Sequence, residues 1–221
     1  MKRTVRAIWL VALVVAAATF ALFANEETEA ETCAGALITI NLDDITVGFA
    51  GTGDPFPDDW RTVDDRHVVE ANAELIPAAR AAGLLVVYLY GNYTVLEEGQ
   101  VVARFATKIA PEEGDLLIGR PGYNLNVFTG TILLATLRER GIEKLLFAGL
   151  NTGFCVNTSA QWGLRLGFDV TIVADAHSGG TPAYAATYNE YWPTLGIAAV
   201  PIEELDFDAF CQPATSEETE E

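Results

Sequence analysis

The sequence predicts an α/β domain built on a parallel sheet. Apolar runs of strand length alternate along the chain with segments of helical period, the pattern of strand-helix-strand units. Glycines close the helical segments at Gly83, Gly141 and Gly167. The chain has 221 residues, half of them hydrophobic. Setting aside its two polar or targeting ends leaves roughly 180 residues, one ordinary domain able to bury about 70% of its unfolded surface without a metal or disulfide.

The predicted strands are Ala36–Asn41, Leu84–Tyr90, Asp115–Gly119, Lys144–Leu150, Asp169–Asp175 and Ile197–Val200. Val68, Leu75, Ile76 and Ala79 give the first helix a buried face, and Pro77 inside it predicts a kink. A second helix runs from about Thr131 to Arg140, and a third opens near Phe154. A fourth begins at Thr181-Pro182, an N-cap followed by proline in the first turn. Between Asn92 and Gly114 the pattern breaks, and Val95-Leu96 with Val101-Val102 around Glu97-Glu98-Gly99-Gln100 predicts a small hairpin.

The N-terminus sets the expected compartment. Lys2, Arg3 and Arg6 precede Ala7–Ala24, a run whose only polar side chain is Thr19. Residues 1–24 therefore read as a signal peptide, with cleavage positions after Ala21 or Ala24, or as an uncleaved membrane anchor. Either way the domain is expected to be exported: secreted, periplasmic, or tethered outside the cytoplasm. An acidic linker follows at 25–35, the domain at 36–212 and an acidic tail at 213–221. The formal charge is −18, and losing the three basic leader residues lowers it to −21. A surface so acidic repels phosphate backbones and anionic lipid, which argues against a nucleic-acid partner. Membrane contact is expected only through an uncleaved leader. In an oxidising compartment Cys33 and Cys211, at the two ends of the domain, are the expected disulfide, leaving Cys155 as a free thiol.

Ligands of open parallel sheets bind at the carboxyl ends of the strands, where strand order reverses. The residues at those ends are Asn41-Leu42-Asp43-Asp44, Gly119-Arg120-Pro121-Gly122-Tyr123, Asn151-Thr152-Gly153-Phe154-Cys155 and Asp175-Ala176-His177. Cys155 falls at the first turn of a helix, where free N–H groups and the helix dipole favour a thiolate, as does a cation such as Arg120. The same N–H groups can form an oxyanion hole. The competing reading is a small buried thiol with no chemistry.

Ala36-Leu37-Ile38-Thr39-Ile40-Asn41, Gly119-Arg120-Pro121-Gly122-Tyr123, Thr129-Gly130-Thr131 and Gly149-Leu150-Asn151-Thr152-Gly153-Phe154-Cys155-Val156 recur in one order. With Gly167-Phe168-Asp169-Val170 and Asp175-Ala176 they resemble the isochorismatase-like cysteine hydrolases, which include nicotinamidases and N-carbamoyl amide hydrolases. The resemblance spans about Ala36 to Val200. It implies a single-domain, three-layer α-β-α fold with a six-stranded parallel sheet. It also implies a Cys–Asp–Lys triad cleaving a C–N bond through an acyl-thioester, with a non-proline cis peptide near Asn151-Thr152-Gly153 at the oxyanion site.

Carried over by residue, the nucleophile falls on Cys155, the aspartate on Asn41 and the lysine on Arg120. Asparagine accepts no proton at neutral pH and arginine gives none up. Loss of a positioned base costs about 10²–10⁴-fold in rate. Asp43, Asp44 and His177 are candidate substitute bases, each with a plainer reading as a turn cap or a loop-ordering group. The metal-binding members of the family use Asp and several His residues, whereas this chain has only His67 and His177. No metal or other cofactor is therefore expected; Asp58, Asp59, Asp64 and Asp65 read as a solvated acidic loop. Tyr123 and Phe128, close behind Arg120, are expected to line a pocket. Tyr184, Tyr188, Tyr191 and Trp192 share a helix face suited to core packing or to a homo-oligomer contact, and Trp162 is expected in the core. Two readings follow: an exported hydrolase acting on a small C–N substrate, or a degenerate member that binds a small molecule or serves assembly.

Overall fold

The computed structural model describes residues 33–43, 63–91, 105–121 and 124–212. The leader, the acidic tail, the hairpin expected at 95–102, Asp44, Tyr123 and the side chains of the acidic loop lie outside the described residues.

Six strands form one sheet: β1 (Gly35–Ile40), β2 (Leu85–Gly91), β3 (Leu116–Arg120), β4 (Lys144–Leu150), β5 (Asp169–Ser178) and β6 (Ala198–Val200). Their order is β3-β2-β1-β4-β5-β6, and every pairing is parallel. The described α-helices are α1 (Val63–Ala81), α2 (Leu133–Glu139), α3 (Asn157–Arg165), α4 (Pro182–Tyr191) and α5 (Phe207–Cys211), with short 3-10 turns at Thr107–Ile109, Trp192–Leu195 and Ile202–Glu204.

Alternation along the strands divides the core between two faces. Ile38, Ile40, Leu145 and Phe147 pack with Leu133 and Leu137 of α2, Ala160 of α3 and Trp192. Leu37, Val86, Tyr88 and Leu146 pack with Val68, Leu75, Ile76 and Ala79 of α1 and with Phe207 and Phe210 of α5. Because both faces are covered, all six residues of β1 are buried, as expected of a central strand in a parallel sheet. The three-layer α/β fold is the one expected, with strand ends displaced by a residue or two.

Three details depart from the expectations. Helix α1 continues through Pro77, which lies on its exposed side. Trp162 is 42% exposed rather than in the core, because it projects from the outer side of α3, with the Arg165 guanidinium 5.9 Å from its ring. Strand β5 extends three residues beyond Asp175. Its pairing with β4 shifts between Phe147↔Ile172 and Gly149↔His177, so a bulge in β5 places His177 in the sheet and the two strands end level at Leu150↔Ser178.

The chain ends are joined. Cys33 and Cys211 form a disulfide across 178 residues of chain, and the Ala34 N–H donates to the Cys211 carbonyl at 3.1 Å. A bridge closing so long a loop contributes about 2–5 kcal/mol. Close by, at the end of α1, Arg80 donates to Asp115 at 2.5 Å and to the Tyr88 hydroxyl at 3.1 Å, tying α1 to β2 and to the start of β3.

The tightest contact in the sheet lies between β1 and β4. Gly149 has φ +105°, and a Cβ there would sit 2.1 Å from the Ile40 carbonyl oxygen. Gly149→Ala is therefore expected to cost about 3 kcal/mol or more, from left-handed strain and overpacking together. Urea unfolding of the variant against the native chain measures this; a midpoint within error of native would contradict the close approach.

Candidate active site

Strand order reverses between β1 and β4, and the candidate residues gather at the carboxyl ends of those two strands and of β3. Strand β1 ends at Ile40 because Asn41 takes a left-handed backbone, φ 55°, a conformation asparagine tolerates better than most residues. Its N–H still donates to the Leu89 carbonyl at 2.8 Å, while its carboxamide reaches across to β4. The Asn41 Nδ2 donates to the Leu150 carbonyl at 2.9 Å and to the Cys155 Sγ at 3.5 Å.

Arg120, the last residue of β3, is 3% exposed. Its Nη2 donates to the Asn41 Oδ1, and its Nη1 donates to the Asn124 carbonyl at 2.9 Å and to the Cys155 Sγ at 3.4 Å. The buried Nε has no hydrogen-bond partner among the described residues. Because Arg120 donates to the Asn41 oxygen, the amide is oriented with its nitrogen toward the sulfur. Cys155 Sγ thus lies between two N–H donors, neither of which can take its proton. Two donors suit a sulfur that accepts, which is what a thiolate does.

The turn before the thiol has its own geometry. The Leu150–Asn151 peptide is cis, and Thr152–Val156 forms a single π-helical turn that leads into α3. The N–H groups of Phe154 and Val156 both donate to the Asn151 carbonyl, at 3.1 and 3.2 Å. Cys155 lies between them, 8% exposed, and Phe154 beside it is 56% exposed.

The structure brings Asn41, Arg120 and Cys155 together; of the other candidates, Asp43, His177 and Phe128 are among the described residues. Asp43 lies past the end of β1, pairs across an isolated bridge with Phe105, and accepts from the Gly91 N–H at 3.0 Å. Gly91 is the register partner of Arg120. His177 is 2% exposed, and its two ring nitrogens meet Thr152 Oγ1 and Asn189 Oδ1, each at 2.9 Å. Phe128 faces inward, its ring stacked on Phe168 with centroids 6.2 Å apart. Among the described residues no three His, Cys, Asp or Glu side chains gather as a metal-ligand group. Asn189 and Gly149 have no individual signal in the sequence, because an asparagine on a helix and a glycine near a strand end carry no distinctive spacing.

A family model for the isochorismatase domain matches residues 36–192. The chain is similar to the ureidoacrylate amidohydrolase RutB of Stutzerimonas stutzeri, 29% identical over 168 residues that cover 75% of this chain and 58% of that protein. It is also similar to the RutB of Azorhizobium caulinodans, 28% identical over 159 residues covering 56% of this chain and 69% of that one. Its matches thus span roughly three fifths to two thirds of those relatives. Among solved structures, an isochorismatase family protein from Desulfovibrio vulgaris superposes with a TM-score of 0.66 at 24% identity, covering 81% of this chain and all of that one. The N-carbamoylsarcosine amidase of Thermoplasma acidophilum superposes with a TM-score of 0.62 at 20% identity, covering 78% and 98%. These structures share the fold, and the family model matches well over half of the chain: the protein belongs to the isochorismatase family.

Proposed function

We propose that the protein is an exported hydrolase that cleaves a C–N bond of a small molecule through a thioester on Cys155. The observation that carries the reading is the placement of the Cys155 Sγ, on the π turn that leads into α3, 3.4 and 3.5 Å from the N–H donors of Arg120 and Asn41. The similarity to ureidoacrylate amidohydrolases supports the C–N bond as the target.

In this reading the sulfur attacks the carbonyl carbon of the substrate. The developing oxyanion meets N–H groups of the Asn151-Thr152-Gly153 turn. The C–N bond then breaks, the nitrogen leaves with a proton taken from solvent, and an acyl-thioester remains. Water hydrolyses the thioester, releasing the acid and regenerating the thiolate. Asn41 orients the nucleophile and Arg120 supplies positive charge, so neither serves as a base. The leader sequence and the disulfide support a site of action outside the cytoplasm.

Three experiments test the reading. Against a panel of ureido, N-carbamoyl and aryl amides, the native chain is expected to turn over at least one, and Cys155→Ala is expected to remove that activity by about 10³-fold or more. Turnover that survives the substitution removes the mechanism. Asn41→Asp combined with Arg120→Lys supplies the missing base and is expected to raise turnover at neutral pH by about 10²-fold. An unchanged or lower rate would mean that the native pair is already tuned to its substrate. Finally, cell fractionation is expected to recover the chain outside the cytoplasm, with mass spectrometry showing an N-terminus just after Ala21 or Ala24, or an intact leader in the membrane. A reduced, cytoplasmic chain would remove the export proposal.

A further inference from the structure

His177 is a buried titratable group that the mechanism above leaves unused, and its surroundings define its state. The Asn189 Nδ2 donates to the Ala174 carbonyl at 2.9 Å, which turns the Asn189 Oδ1 toward the His177 Nε2. A carbonyl oxygen accepts only, so Nε2 carries the proton. In the neutral ring Nδ1 is then bare and accepts from the Thr152 hydroxyl at 2.9 Å. Thr152 is the first residue of the π turn, has no exposed surface, and stands three residues before Cys155.

The same assembly holds the imidazole from its other sides. Trp192 meets it edge-on, with ring centroids 5.0 Å apart, and the Trp192 indole N–H donates to the Asn157 Oδ1 at 3.0 Å, at the head of α3. Tyr188 packs on Trp192 with centroids 5.5 Å apart, and its hydrogen bond with Tyr184 holds its hydroxyl above the usual tyrosine range. The Tyr184 ring lies over Gly179, and its hydroxyl lies against Gly153. A Cβ at Gly153 would meet that hydroxyl at 2.0 Å, and one at Gly179 would meet the ring at 2.3 Å. The two glycines thus leave room for one tyrosine across the turn that precedes the thiol.

We propose that His177 is a positioning residue for this turn, acting through the Thr152 hydroxyl with its tautomer set by Asn189. The inference rests on the hydrolase reading of the same site. His177 does not touch substrate; it orients the backbone that faces the oxyanion. The sulfur itself is held from β1 and β3, by Asn41 and Arg120. Cys155 belongs to the same π turn, but because its Sγ is also held by Asn41 and Arg120, loosening the Thr152 end affects the chemical step more than the reactivity of the thiol.

Two substitutions separate positioning from bulk stability, because each keeps one end of the imidazole. Asparagine places an acceptor near the Nδ1 position and keeps the Thr152 bond, whereas glutamine reaches the Nε2 position and keeps the Asn189 bond. His177→Gln is expected to lower kcat by roughly 10- to 10²-fold, the cost of a misplaced reacting geometry, with KM and the rate of Cys155 alkylation by iodoacetamide within about twofold of native. His177→Asn restores most of that loss, and Thr152→Val reproduces the glutamine effect. Equal losses in the asparagine and glutamine variants, or a parallel fall in alkylation, would overturn the proposal in favour of a purely structural role. Should His177→Gln not fold, the comparison of Thr152→Val with native decides the matter, a native kcat overturning the proposal. A native chain inactive on every amide would remove the hydrolase reading instead. The ¹⁵N spectrum of the imidazole then decides this one: an Nε2–H ring with a hydrogen-bonded Nδ1 supports it, and an Nδ1–H ring overturns it.

Discussion

The close approach of β1 and β4 is the constraint on which the site depends. The Ile40 carbonyl runs so near Gly149 that no side chain fits between them. One residue beyond, Asn41 spans the same gap with its own amide, donating to the Leu150 carbonyl. The last carbonyl of β4 and the first residue after β1 are thereby locked together at the place where strand order reverses. The turn to Cys155 begins from that lock. Its geometry follows from the sheet rather than from the loops around it.

Around the sulfur the polar groups form a closed circuit. Arg120 donates to Asn41, Asn41 donates to the sulfur, and Arg120 donates to the sulfur as well. Exchange of an aspartate–lysine pair for an asparagine–arginine pair removes the group that accepts a proton and keeps the positive charge. In a chain of net charge −18, a buried guanidinium beside the one free cysteine is a local reversal of sign.

The turn to Cys155 is supported from behind by β5 and α4. The bulge in β5 brings His177 level with Gly149, and Asn189 and Trp192 close around the ring. β5 and α4 therefore both bear on this turn, His177 through Thr152 and Tyr184 against Gly153. The aromatic stripe divides accordingly: Trp192, just past the end of α4, is fully buried, while Tyr184 and Tyr191 keep exposed edges.

Much of this was determined by the sequence alone. Strand and helix positions follow from local periodicity and from glycine and proline punctuation, which act over a few residues and need no knowledge of the fold. The pairing of Cys33 with Cys211 could be anticipated because each stands at an end of the domain, and family membership because the strand-end motifs keep their order. The convergence on the turn was decided only in three dimensions. His177 reads as a loop residue after β5 until the bulge draws it into the sheet, and Trp162 reads as core until α3 is seen to turn it outward. Asn189 shows no role until its amide is seen between Ala174 and the imidazole. The physical reason is range: periodicity records which face of an element is buried, whereas a hydrogen bond between residues 25 positions apart, such as Thr152 and His177, depends on the register of the whole sheet.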